Sequence, residues 1–63
     1  MEEKYPTLKY FKYEHLPKHL QDVSRPFSAL AFQMANNGKD PRETSVGIRK
    51  LLEAKDCAVR AML

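Results

Sequence analysis

From Leu20 onward, apolar residues return at helical spacing. Leu20, Val23, Phe27, Leu30 and Met34 are separated by three, four, three and four positions. That spacing makes one stripe with a coiled-coil-like period. Pro17 suits a first helical turn, where its missing N–H is no loss. Asn36, Asn37 and Gly38 tolerate the left-handed conformation in which many helices end. The pattern predicts a first helix from about Pro17 to about Asn36. Pro26 lies inside it and has no N–H to donate to the carbonyl of Asp22. Two outcomes follow: a kinked helix, or a break with Ser24 capping a second segment. The unbroken apolar phase across Pro26 favours the kink.

A second start signal follows at once. Asp40-Pro41-Arg42-Glu43 offers an N-cap aspartate, a proline at the first helical position and a glutamate at the third, close to a capping box. The second helix is predicted from Pro41 to near Ala61. The turn between the helices, Gly38 to Asp40, is short, and short helix–helix turns make antiparallel neighbours. The fold class is all-α: an antiparallel helical hairpin over residues 16–63, its first helix kinked near Pro26, preceded by an N-terminal arm over 1–15. Pro6 discourages an α-helix in the arm. The alternation of lysine and aromatic residues from Lys9 to Tyr13 reads as extended.

At about 100° per residue, Ile48, Leu52, Val59 and Met62 form one stripe of the second helix, with Lys55 in its middle. Leu51, Ala54, Ala58 and Ala61 lie beside it. Arg42, Arg49, Glu53, Asp56 and Arg60 make the polar side, and Asp56 and Arg60 are spaced as a surface pair. The apolar face is wider than one partner helix covers. It therefore wants another subunit, or else is a lightly exposed alanine patch on a good helix former. A lysine amid Ile48, Leu52 and Val59 must snorkel, pair with a carboxylate or meet a ligand anion.

Size sharpens the picture. The chain has 63 residues, and a domain of that length buries only about 60% of the surface of its unfolded chain. Small scaffolds are secured by disulfides, metals or association. Cys57 is the single cysteine, so no internal disulfide is possible. His15, His19 and Cys57 do not make a tetrahedral metal site by themselves. Association is the remaining stabiliser, and there is little room for a walled catalytic pocket. The formal charge is +3, a mild excess that suits a phosphate-bearing partner without demanding one. No run approaches the roughly 20 apolar residues of a membrane span, and Met-Glu-Glu-Lys carries no apolar leader. One thiol and no leader predict a reducing cytoplasm.

No catalytic pattern is present. Cys57 has aspartate and alanine neighbours and no oxyanion device, so it reads as a structural thiol. His15 and His19 are four apart with Pro17 between them, and no metalloprotease glutamate accompanies them. No glycine-rich phosphate loop exists. No enzyme, metal or cofactor is therefore expected. What remains is Tyr10 to Lys18, where aromatic rings alternate with lysines. Rings stack on bases while cations meet phosphates. The same residues also suit an arm that packs its rings on the hairpin or on a neighbouring subunit.

The segments Phe11-Lys-Tyr-Glu-His-Leu-Pro-Lys-His-Leu-Gln-Asp-Val-Ser-Arg-Pro-Phe27 and Ile48-Arg-Lys-Leu-Leu-Glu-Ala-Lys-Asp-Cys-Ala-Val-Arg-Ala61 together resemble a family of small phage proteins, the anti-CBASS and anti-Thoeris sponges, most closely on the anti-CBASS side. The resemblance spans residues 11 to 62, and its second segment is the more specific. It implies a protein without enzymatic activity that binds the cyclic oligonucleotide messengers of bacterial defence. Sequestration of those messengers in the cytoplasm of the infected host blocks their effectors. It implies a helical homo-oligomer, typically a hexamer, with cyclic dinucleotides in pockets between subunits and cyclic trinucleotides in separate sites. Arg60 matches the family's trinucleotide-site arginine. Tyr10, Phe11 and Tyr13 are the candidates for the aromatic of the dinucleotide site. Lys18, with Lys12 second, is the candidate for its lysine, and Ser24 at the kink is placed to donate a hydroxyl. No membrane and no long nucleic acid is expected as a partner. The competing expectation is a small basic phage regulator that binds a host protein or DNA through Arg42, Arg49 and Arg60.

Overall fold

The computed structural model describes residues 2–63, and the first residue of the arm lies outside them. The chain forms a 3₁₀ segment, Pro6–Phe11, then helix α1, Lys18–Asn37, and helix α2, Pro41–Arg60. The two helices pack against each other, and the 3₁₀ segment packs against both. Among the described residues no helix is long and apolar enough to cross a membrane.

Each boundary has a local cause. Pro17 is the N-cap residue of α1 and Gly38 its C-cap, with the Gly38 N–H donating to the Met34 carbonyl. Asp40 Oδ1 accepts from the backbone N–H of Arg42 at 3.0 Å and of Glu43 at 3.3 Å, so the N-cap half of the expected box is formed. Helix α1 runs unbroken through Pro26, and the break capped by Ser24 does not occur. The left-handed stop expected at Gly38 is not used either: its φ is −69°. Glycine is required there by space. A Cβ at Gly38 would run into Thr44 Oγ1 and sit 3.0 Å from the Met34 carbonyl oxygen, so the turn closes only because that atom is missing.

The arm is not extended, as its alternation of lysine and aromatic residues reads, but a 3₁₀ segment docked on the hairpin, which is the packing alternative for its rings. Pro6 occupies the first position of the 3₁₀ segment, where its ring fixes a helical φ and its missing N–H is harmless. In a 3₁₀ helix, residues three apart eclipse. Tyr5, Leu8 and Phe11 therefore form one ridge, and all three are buried. They join Ala31, Ala35, Ile48 and Leu52 in a single apolar cluster, with Phe27, Phe32, Met34 and Leu51 packed on its edge. Part of the third wall that the hairpin lacks thus comes from its own arm.

The stripe on α1 is also turned. The residues buried deepest are Leu20, Ser24, Ala31 and Ala35, one position round from the bulky series Val23, Phe27, Leu30 and Met34. Three of the four deepest are small side chains, while Phe27 and Met34 pack against the edge of the core. Leu30 pays for this arrangement: it is 43% exposed. On α2 the contact line is Thr44, Ile48 and Leu52. Of the alanine patch beside it, Ala58 is half-buried while Ala54 and Ala61 are exposed.

Candidate functional site

The 3₁₀ ridge that buries Leu8 and Phe11 turns Lys9 and Tyr10 outward. Tyr10 is 56% exposed, whereas Phe11 is 1% exposed. Lys9 Nζ lies 5.2 Å from the centre of the Tyr10 ring, within cation–π range. After Phe11 the chain crosses to α1 through a linker held by local bonds. Gln21 Nε2 donates to the Leu16 carbonyl at 2.8 Å and to the Glu14 carbonyl at 3.3 Å. The Leu16 N–H donates to the Tyr13 carbonyl at 3.0 Å.

Those bonds carry the linker past the last turns of α2 and leave an open cleft of about 320 Å³ between them. The arm side supplies Lys9, Tyr10, Lys12, His15 and Leu16. Helix α2 supplies Lys55, Asp56, Val59 and Arg60. Four cations thus face one carboxylate, a local excess equal to the +3 of the entire chain. A second depression, of about 420 Å³, lies on α2 and shares Tyr10, Lys55 and Asp56 with the first, adding Arg49, Leu52 and Glu53. Its charges balance. A further depression, of about 460 Å³, lies elsewhere, at the hairpin turn around Leu30, Met34 and Gly38. Its lining has Glu43 and no cation, so it lacks the positive charge of the basic cleft.

Within the basic cleft the cations are held differently. Lys55 Nζ lies 3.0 Å from Asp56 Oδ1, and the Lys55 side chain is 14% exposed. The stem is covered by the stripe it interrupts, and the head meets a carboxylate. Arg60 Nη2 donates to Cys57 Sγ at 3.3 Å, a weak acceptor. The surface pair of Asp56 with Arg60 expected from their spacing is not made, because Asp56 is taken by Lys55. Among the described residues Arg60, Lys9 and Lys12 have no ion-pair partner. The cleft also lies at the C-terminal end of α2, where the helix dipole disfavours an anion. Arg60 and Lys55 sit where they offset that field.

The structure thus brings Tyr10, Arg60 and Lys12 together and separates them from Phe11, Tyr13, Lys18 and Ser24. Phe11 is in the core, with no ring face free in the folded chain. Ser24 is 2% exposed, and its Oγ is buried with no hydrogen-bond partner. Tyr13 is half-buried outside the cleft, with the Arg25 guanidinium carbon 5.6 Å from its ring centre. Lys18 Nζ lies 2.6 Å from Asp22 Oδ1. That hydrogen bond holds the Asp22 carboxyl below its ordinary range, helped by the Lys18 charge and by Arg25. Lys12 lines the cleft instead of Lys18.

Sequence reading left Lys9, His15 and Lys55 unassigned to any site. A signal for Lys9 and Tyr10 was present. Tyr5, Leu8 and Phe11 recur every third residue, which leaves Lys9 and Tyr10 on the outward side of a three-residue turn. Lys12, the second candidate lysine, and His15 reach the cleft through the path of the linker. Among the described residues no group of three or more histidine, cysteine or acidic side chains is placed to hold a metal ion. No family model matches the chain, and neither a curated protein nor a solved structure matches it significantly.

Proposed function

We propose that this protein binds cyclic oligonucleotides and sequesters them without hydrolysis, as an anti-defence sponge in the cytoplasm of a phage-infected bacterium. The observation that carries the reading is the cleft that sets the exposed ring of Tyr10 among Lys9, Lys12, Lys55 and Arg60. A ring face suits a base, and four cations suit a phosphodiester ring. The resemblance of residues 11–27 and 48–61 to the anti-CBASS sponges supports the same ligand class. In this reading Tyr10 stacks, Arg60 and Lys12 meet phosphates, and Lys12 takes the place that the resemblance gave first to Lys18. Phe11 and Ser24 act in the fold and not on the ligand.

The working form is a homo-oligomer, a hexamer by the resemblance. Exposed Leu30, Val46 and Met62 and the open side of the α2 alanine patch are the surfaces that copies would cover. The cleft is shallow in one chain, and a second copy would supply its missing wall.

The test is titration calorimetry with cyclic di-AMP and cyclic tri-AMP, followed by heating and chromatography of the released ligand. Intact ligand is expected. Arg60→Ala removes a charge-assisted contact worth about 1.5–3 kcal/mol, or roughly ten- to hundredfold in Kd. Tyr10→Ala removes stacking of about 1–3 kcal/mol. A linear product would show an enzyme, and binding of neither probe refutes the proposal. Steep salt dependence of duplex binding would favour the DNA-binding regulator instead.

A further inference from the structure

Among the described residues Lys55 and Asp56 form the one ion pair inside the basic cleft, and its geometry is unusual. Neighbouring residues on an α-helix project about 100° apart and do not face one another. A 3.0 Å contact between them requires both side chains to bend round the helix surface. Spaced pairs elsewhere on the helices need no such bend: Lys18 with Asp22 at four positions, Arg49 with Glu53 at four. Among the described residues Asp56 is the carboxylate that the Lys55 ammonium meets. The Lys55 side chain is 14% exposed, and a cation covered to that degree gains from an anion at its head. Lys55 also stands at the junction of the two depressions that flank Tyr10. It is thus the best covered cation of the cleft and the one whose bond is made in the least favourable geometry.

We infer that Lys55 is an anion-binding residue of this cleft, and that Asp56 is its placeholder: in the free protein the carboxylate occupies the position at Nζ that a ligand phosphate takes. The inference rests on the reading of the cleft as a phosphate site. Binding exchanges the bent contact for a phosphate oxygen, and Asp56, 44% exposed at its side chain, swings into water. The placeholder keeps Lys55 charged and satisfied in the empty cleft. It also weakens the hold on any anion that has too few phosphates to reach both Lys55 and Arg60. Asp56 is therefore a positioning residue that acts on the ligand through Lys55.

A double-mutant cycle by calorimetry tests this, with cyclic di-AMP and cyclic tri-AMP as probes at fixed ionic strength. The variants are Asp56→Asn, Lys55→Met and the two together, each with its melting curve recorded by circular dichroism. Asp56→Asn is expected to tighten the bound probe about two- to fivefold, the span of an exposed ion pair. In the Lys55→Met background the same change is expected to have less than half that effect. Equal tightening in both backgrounds would show plain charge repulsion by Asp56 and overturn the inference. So would Asp56→Asn leaving affinity unchanged while the wild type binds. If the wild type binds neither probe, the reading of the cleft itself fails, a result distinct from either.

Discussion

Phe11 offers the sharpest test of how the arm and the hairpin depend on each other. The sequence makes it a candidate for base stacking, and the structure buries it. Phe11→Ala removes a ring that is 1% exposed within the cluster of Leu8, Ala31, Ile48 and Leu52. Truncating a buried phenylalanine costs about 3–5 kcal/mol, from lost transfer free energy and the cavity left behind. Small proteins are stable by about 0.05–0.15 kcal/mol per residue, or roughly 3–9 kcal/mol for 63 residues. The substitution therefore removes most of the margin. Phe11→Leu keeps apolar bulk and is expected to cost less than about 1.5 kcal/mol. Among the described residues the arm carries three of the eight buried apolar side chains, Tyr5, Leu8 and Phe11. The hairpin left without it has Leu20, Ala31, Ala35, Ile48 and Leu52. One cooperative transition is therefore expected, not undocking of the arm from an intact hairpin. The assay is urea denaturation followed by far-ultraviolet circular dichroism, at one fixed protomer concentration because association adds to apparent stability. A Phe11→Ala variant within about 0.5 kcal/mol of wild type, the range of ordinary surface changes, would refute the packing assignment. If that variant also lost ligand affinity, the ring would be a stacking group after all.

Ser24→Ala should stabilise the protein, because it removes a buried hydroxyl with no partner. Such a group costs about 1–3 kcal/mol, and a rise in Tm with unchanged ligand affinity is the expected result. Gly47→Ala should also raise Tm. It removes a mid-helix glycine worth about 0.5–1 kcal/mol, and the new methyl meets only the flexible end of Met34, whose Cε would lie 2.8 Å away. A fall in Tm would show that Met34 cannot move. Asp22 gives the pH signature. Its folded carboxyl is held below the ordinary range by the Lys18 hydrogen bond, so the unfolded chain takes up the proton first. The stabilisation is complete above the ordinary aspartate range and is lost as pH falls through the lowered folded value. Thermal melts across that acid window should fall less steeply for Asp22→Asn than for wild type. Parallel curves would remove Asp22 from the account.

The sequence alone determined the helical hairpin. Proline at a helix start, an N-cap aspartate and apolar residues every three or four positions are local instructions, and both helices begin and end within a residue of where those signals place them. It also placed Arg60 on the outer side of α2 and made Tyr10 a candidate. Tertiary structure decided which rings are buried. Tyr10, Phe11 and Tyr13 are chemically close, and only the docking of a 3₁₀ ridge on two helices sends Phe11 inward and Tyr10 outward. It decided the rotation of α1, which buries Ser24, Ala31 and Ala35 and leaves Leu30 of the bulkier stripe 43% exposed. It assembled the basic cleft, since Lys12 and His15 meet Lys55 and Arg60 across some forty intervening positions. Local sequence sets which bonds a backbone segment can make with itself. Which side chains meet across that distance depends on how whole surfaces fit, and no short window of residues contains that information.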